Sequence, residues 1–224
     1  MSEARSPTGL SRELIALRAA RELEPGSVVN LGIGLPTLVA GFVEPSDGIL
    51  FQAENGILGY SGISEPDFDS DLINAGGQPV NLVAGASFFD TADSFAMIRG
   101  GHIDAAILGG LQVSAQGDLA NWYVPARGGG SVGGAMDLAV GAKKLIIAMA
   151  HVTRDGEPRI VEVCDYPLTA ERCVDVIITD YAVIDVTESG LQLREVAPGV
   201  SVGEVIDWTD AAVDVSGDVI EMSL

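Results

Sequence analysis

Leu50-Phe51-Gln52-Ala53-Glu54-Asn55-Gly56-Ile57-Leu58-Gly59 is the stretch whose reading decides the fold. The apolar run that opens at Gly48 and reaches Phe51 reads as a short buried strand and ends abruptly at Glu54. Asn55-Gly56 follows at once, and both residues tolerate positive φ, so the chain turns tightly there. A carboxylate is thereby held at the mouth of a buried strand, which in open α/β sheets is where ligands bind. Taken alone, the same letters also fit a hairpin turn that carries Glu54 in solvent.

The flanking chain repeats the strand theme. Residues 27–31 form another short apolar run, followed by a turn built on Gly32 and Gly34 and by Pro36 near a helix start. Residues 80–83, 103–108, 144–149 and 174–178 are further β-prone runs, and 91–98 and 136–142 between them read as helices. Strands alternating with helices predict an α/β fold, a three-layer α/β/α arrangement around a mainly parallel open sheet. A first helix is predicted from Ser11, with Leu10, Leu14 and Leu17 on its apolar face, charged residues including Arg18 and Glu22 on its polar face, and Pro25-Gly26 at its end. At the other end, residues 183–186 and 191–196 flank Thr187-Glu188-Ser189-Gly190 and predict a C-terminal β-hairpin, with a short helix over 202–208. Residues 1–7 read as a disordered lead and 128–131 as a flexible stretch. No linker interrupts the chain, so a single domain over 1–224 is expected.

Composition narrows the function. With 224 residues, 47% of them hydrophobic, the chain can bury a sizeable core. A formal net charge of −20 argues against nucleic acid and anionic membranes, which require basic patches. No apolar run approaches a membrane span and no signal peptide is visible, so a cytoplasmic protein is expected. Cys164 and Cys173 lie nine residues apart without metal-like spacing and read as structural thiols. His102 and His151 are too distant in sequence to suggest a metal pair, and each reads as a hydrogen-bonded structural residue. Asp67, Asp69 and Asp71 alternate, but the glycine and the glutamate of a calcium loop are missing. No metal site is expected.

The motifs, taken in order, carry a resemblance. Glu54-Asn55-Gly56 with its two apolar residues and Gly59 is preceded by Asn30-Leu31-Gly32-Ile33-Gly34 and Pro36. It is followed by Asp71-Leu72-Ile73-Asn74-Ala75-Gly76, Met97-Ile98-Arg99-Gly100-Gly101-His102 and Gly117-Asp118-Leu119-Ala120-Asn121-Trp122. Gly133-Gly134-Ala135-Met136-Asp137-Leu138 and Pro167-Leu168-Thr169 complete the series. Together they resemble the family I CoA-transferases, specifically the β subunit of 3-oxoacid CoA-transferases. Departures exist. Ala53 stands where the family has Ser, and Gly77 where it often has Lys. Pro125-Ala126-Arg127 replaces Pro-Gly-Lys, and Gly130-Ser131-Val132 a commonly Met-rich segment.

The resemblance implies that Glu54 is a nucleophile. A carboxylate can attack an acyl-CoA thioester and divide one hard transfer into easier steps through a covalent glutamyl-CoA thioester. Phe51, Ile57 and Leu58 are apolar neighbours in sequence, and a poorly solvated setting of that kind would raise the nucleophilicity of the carboxylate. The resemblance also puts Asn30 and Gly134 at the oxyanion. From the residues alone, Asn30 ends a strand and carries a donor amide, and Gly133-Gly134 precedes a helix whose N-terminal N–H groups favour anions. Gly32, Gly34, Asn55, Gly133 and Arg127 are the candidate contacts to substrate and coenzyme A, Arg127 as a phosphate cation. Coenzyme A is expected as a substrate, with no tightly bound cofactor. The implied partner is a homologous α subunit in an α₂β₂ assembly. The implied reaction moves CoA from succinyl-CoA to a 3-oxo acid, acetoacetate or 3-oxoadipate, with acetate as an alternative acceptor. Two other classes compete. Gly32-x-Gly34 followed 20 residues later by Glu54 imitates the dinucleotide fingerprint of an oxidoreductase, although Thr37 replaces its third glycine. A non-catalytic partner subunit is the other, against which the intact Glu54-Asn55-Gly56 argues.

Overall fold

Five consecutive parallel strands form the centre of the computed structural model, which describes residues 9–63 and 69–224, with Ile63 and Arg127 described by their backbone alone. The expected disordered lead over 1–7 and Asp67 of the acidic loop lie outside the described residues. The central strands are β1 (Val28–Leu31), β2 (Leu50–Ala53), β5 (Ala105–Leu108), β6 (Leu145–Ala148) and β7 (Val176–Ile178), in the order β2-β1-β5-β6-β7. Every residue of β5 and β6 is buried, and Ile107, Ile146, Ile147, Ile177 and Ile178 lie at the bottom of the core. Such continuous apolar runs are what strands covered on both faces require.

Antiparallel strands flank the parallel centre on both sides. At one edge the expected hairpin is present as β8 (Ala182–Thr187) and β9 (Gly190–Val196), and the short strands β10 (Val213–Asp214) and β11 (Ile220–Glu221) add parallel to β9. At the other edge β2 turns at Asn55-Gly56 into antiparallel β3 (Ile57–Ile63), and β4 (Val80–Phe88) pairs with β3. The hairpin alternative for Glu54 is therefore correct for the backbone: the strand is buried and its turn is a hairpin. The sequence pattern predicts no strand over 57–63 and ends the next one at 83, because Gly59, Gly62 and Gly85 interrupt the β pattern.

The helices supply two layers. α1 (Arg12–Ala20) packs with the 3₁₀ segment Pro36–Phe42 and touches β6 and β7, while α2 (Thr91–Arg99) packs on α3 (Ala135–Gly141), which touches β5. A short α4 (Val202–Asp207) follows the hairpin. Ser11 caps α1 by accepting from Leu14 N at 3.4 Å. The buried face of α1 differs from the expected one. Ile15, Ala16 and Ala19 are buried, whereas Leu14 is exposed. Arg18, assigned to the polar face, is buried because it finds charge partners: Glu195 takes two of its N–H groups at 2.7 and 2.6 Å and Glu22 a third at 2.9 Å. Glu22 also pairs with Lys144 and Arg194. The expected flexible stretch contains a strand, Gly129–Gly130, paired with Tyr123–Val124.

Candidate active site

Asn30 on β1 stands beside Gln52 on β2 in the parallel register. Both side chains leave the same face of the sheet, and Glu54, two residues on, returns to that face. The Asn30 amide binds the three together. Its Nδ2 donates to Gln52 Oε1 at 2.6 Å, to the Gln52 carbonyl at 3.1 Å and to Glu54 Oε2 at 3.2 Å. Gln52 Nε2 in turn donates to Ser94 Oγ of α2 at 2.6 Å.

The turn that carries Glu54 admits only glycine at its corner. Gly56 has φ +117°, and a Cβ there would lie 2.0 Å from the Phe89 carbonyl oxygen. Gly56 N–H closes the turn on Ala53 O at 2.9 Å, and Phe89 N–H bonds Gly56 O at 3.1 Å. Asn55 points away: it is exposed, and its amide donates to the Ile73 carbonyl at 2.7 Å, tying the turn to the next loop.

Glu54 opens into a cavity of about 670 Å³, together with Gly32, Leu108, Gly133, Gly134 and Leu138. Gly134 is the N-cap of α3. A side chain there would begin 3.0 Å from the Phe95 ring and 3.7 Å from Glu54 Cγ, so the glycine leaves the α3 backbone against the carboxylate. Arg12, Arg159 and Asp180 line the same cavity. Arg159 donates to the Gly110 carbonyl at 3.2 Å. Burial pushes the Asp180 carboxyl above its ordinary range, against the hydrogen bond it accepts from His151 N–H. Burial, helped by the charge of Glu54, also raises the Tyr60 phenol well above its ordinary value.

The structure thus brings together Glu54, Asn30, Gly32, Gly133 and Gly134. Gly34 lies in the same turn with φ +96°, between the cavity-lining Ile33 and Leu35. Asn55 does not line the cavity, and Arg127 belongs by its backbone to the 3₁₀ turn Pro125–Arg127. Phe51 and Ile57 are buried and Leu58 is half-buried, with Phe51 packed on Tyr60 at a ring separation of 5.6 Å. Sequence reasoning missed Gln52, Ser94 and Phe95. For Gln52 a signal was present, since it is a polar residue inside an apolar run that packs beside a second one carrying Asn30. Ser94 gave none, because a serine near a helix start is ordinary.

His151 is fully buried between the hydroxyls of Thr179 and Thr209, each 2.9 Å from a ring nitrogen. Cys164 and Cys173 are free and half-buried. Among the described residues no His, Cys, Asp and Glu side chains gather as metal ligands, and no helix is long and apolar enough to cross a membrane. The dinucleotide alternative loses its main support, because the glycine turn leads into the 3₁₀ segment Pro36–Phe42 and offers no α-helix N-terminus to a pyrophosphate.

Residues 12–207 match the family model for coenzyme A transferases. The chain belongs to the coenzyme A transferase family. It is an enzyme subunit of the β type, as its relatives are. It is 51% identical over 205 residues to the β-type subunit of the succinyl-CoA:3-ketoacid coenzyme A transferase of Helicobacter pylori, covering 91% of this chain and 99% of that one. It is 48% identical over 198 residues to the β-type subunit of the 3-oxoadipate CoA-transferase of Pseudomonas putida, covering 88% and 92%. The β subunit of the acetate CoA-transferase of Escherichia coli is 46% identical over 208 residues, covering 93% and 95%. Among solved structures, the acyl-CoA transferase YdiF of Escherichia coli O157:H7 superposes with a TM-score of 0.77 at 24% identity. That match covers 96% of this chain and 43% of the other, and it shows the shared α/β fold.

Proposed function

We propose that this CoA-transferase subunit moves CoA from succinyl-CoA to a 3-oxo acid, acetoacetate or 3-oxoadipate, through a thioester on Glu54. The observation that carries the reading is the Glu54 carboxylate on a cavity wall at the carboxyl ends of the parallel strands, with the Asn30 Nδ2 donor 3.2 Å away and Gly134 beside it. A Glu54 oxygen attacks the thioester carbonyl, and collapse of the tetrahedral intermediate expels CoA thiolate and leaves a mixed anhydride. The thiolate then attacks the glutamyl carbonyl, releasing the donor acid and leaving glutamyl-CoA. The acceptor carboxylate runs the same steps in reverse. Atoms and charge balance without an external reductant or nucleotide, because the thioester energy is kept throughout.

Each tetrahedral intermediate places negative charge on an oxygen, where preorganised donors act most strongly. Asn30 Nδ2 and the Gly134 N–H are those donors. Gly32, Gly34 and Gly133 shape the passage for the thioester arm, and Arg127 meets a CoA phosphate. Asn55 serves the turn more directly than the substrate. The chain works with a homologous α subunit, a reading supported by relatives that are themselves one of two kinds of subunit. Because those relatives differ in acceptor, acetate is the second candidate acid.

The test is the assembly co-expressed with its α subunit, assayed against a panel of acids and acyl-CoA donors. Acyl-CoA alone should leave CoA on Glu54, and borohydride should reduce that thioester to an alcohol which peptide mass spectrometry locates. Ping-pong kinetics should accompany it. An adduct on another carboxylate, or sustained turnover by Glu54→Ala, would overturn the assignment.

A further inference from the structure

The hydrogen-bond chain behind Glu54 continues into the interior. Asn30 Nδ2 donates to Gln52 Oε1, Gln52 Nε2 donates to Ser94 Oγ, and Ser94 Oγ lies 3.5 Å from the Ala53 carbonyl oxygen. Asn30, Gln52 and Ser94 are all fully buried. We propose that Gln52 and Ser94 are positioning residues that fix the sense of the Asn30 amide, so that its NH₂ and not its carbonyl faces Glu54. The inference rests on the function proposed above and deepens it.

The two ends of an amide have the same shape, so its partners decide which end points where. The Ala53 and Gln52 carbonyls can only accept. When the Ser94 hydroxyl donates to Ala53 O, its oxygen accepts from Gln52, which therefore turns Nε2 to Ser94 and Oε1 to Asn30. Asn30 answers with Nδ2, and the same nitrogen then faces Gln52 O and Glu54. Reversing one amide alone would set donor against donor or acceptor against acceptor.

Asn30 Oδ1 shows why a lock is needed. It is buried and has no hydrogen-bond partner among the described residues. An orphaned acceptor is costly, so the native arrangement carries a standing incentive to turn over. If Gln52 were free to reverse, its Nε2 would offer Oδ1 a donor, Asn30 would turn to take it, and Glu54 would lose its NH₂ neighbour. Ser94 opposes the first step, because serving a reversed Gln52 would take its hydroxyl proton away from the Ala53 carbonyl.

A double-mutant cycle on the assembly with its α subunit tests this. Asn30→Ala should lower kcat by about 10²–10³. Ser94→Ala should lower kcat about tenfold, with KM close to wild type and a melting temperature lowered by about 2–8 °C, since the buried Gln52 amide loses a hydrogen-bond partner. Added to Asn30→Ala, it should cost nothing more, because it acts only through that amide. Gln52→Leu should behave in the same way and guards against a result peculiar to Ser94. Full additivity, or wild-type turnover by Ser94→Ala while Asn30→Ala is impaired, would overturn this inference alone. Wild-type turnover by Asn30→Ala would overturn both it and the oxyanion assignment.

Discussion

Replacing Asn30 with Asp changes one atom type and almost no volume, which makes it a sensitive probe of the Glu54 surroundings. The nitrogen faces three acceptors, at 2.6, 3.1 and 3.2 Å, the last a carboxylate. In Asn30→Asp a second carboxylate would stand 3.2 Å from Glu54. At an effective dielectric constant of about 20 the two charges repel by roughly 5 kcal/mol, a little under four pKa units. The pair therefore keeps one proton in the folded variant up to a pH of about 7–8, whereas an unfolded Asp releases its proton near a pKa of about 3.9. Across that window the folded variant binds more protons than its unfolded chain, so its stability falls as pH rises, by about 1.4 kcal/mol per pH unit. Below the window the charge repulsion vanishes and only the pH-independent cost of the lost N–H donors remains. At pH 7 this pH-dependent part of the deficit should be about 4 kcal/mol, or roughly 8–16 °C in melting temperature for a chain of this size. Thermal melts of both proteins from pH 4 to 8 measure it directly. A melting difference that stays constant over this range would show that the donor does not face Glu54 as described, and the site would have to be rebuilt around other groups.

Further outcomes follow from the same geometry. Gly134→Val should leave the fold largely intact, since φ −88° suits any residue, yet lower kcat by about 10²–10³ by pushing Phe95 and the α3 backbone away from Glu54; unchanged turnover would remove Gly134 from the reaction. Burial holds His151 neutral, with its pKa lowered to about 4, while an unfolded His takes up its proton near 6.5. Its contribution of about 3 kcal/mol should therefore be lost as pH falls from 6.5 to 4, and His151→Asn should flatten that part of the acid-denaturation curve. Burial raises the Glu22 carboxyl, but Lys144, Arg194 and Arg18 outweigh it and hold the group below its ordinary value. Glu22→Gln should cost about 1 kcal/mol in urea melts, because it removes the carboxylate that Arg18, Lys144 and Arg194 share while Arg18 keeps Glu195 and Arg194 keeps Asp185. Burial pushes the Cys164 thiol up to about 11 and that of Cys173 up to about 12, so both should resist alkylation at pH 8 until the protein is denatured.

The parallel centre of the fold is legible because its strands are continuous apolar runs between turn signals. Residues 103–108 and 144–149 contain β5 and β6, and the alternation with helices implies the layers. The antiparallel edge is not legible. β3 and β4 carry Gly59, Gly62 and Gly85, which weaken strand propensity, and their partners are known only once the sheet exists. The face of α1 is hidden for a similar reason: Leu14 and Ile15 are equally apolar, and the choice between them is made by the 3₁₀ segment and the sheet strands that pack against the helix. At the site, Glu54 stands out because it breaks an apolar run immediately before Asn-Gly. Asn55 misleads because its neighbour is informative, while its own amide serves the Ile73 carbonyl. The relay behind Asn30 requires two strands and a helix to meet, and no local pattern records such a meeting.

That meeting places the control of the site in the core. Val29↔Phe51 and Asn30↔Gln52 are register partners of β1 and β2. Val29, Leu31, Phe51 and Ala53 are buried at 5% exposure or less and alternate along the strands with the two amides. A slip of one residue would carry Gln52 to the opposite face and expose an apolar set to the polar relay, so hydrophobic packing fixes the register strongly. The register then sets the Asn30–Gln52 contact, that contact sets the amide sense, and the amide faces Glu54. The glycine turn adds the last constraint, since only Gly56 lets Glu54 leave the strand against the Phe89 carbonyl. The carboxylate is therefore held by rigid strand pairing on one side and by a glycine-dependent turn on the other. Such a mounting suits the nucleophile proposed for Glu54, which would have to hold a near-attack distance of roughly 3–3.5 Å, where small displacements are costly in rate.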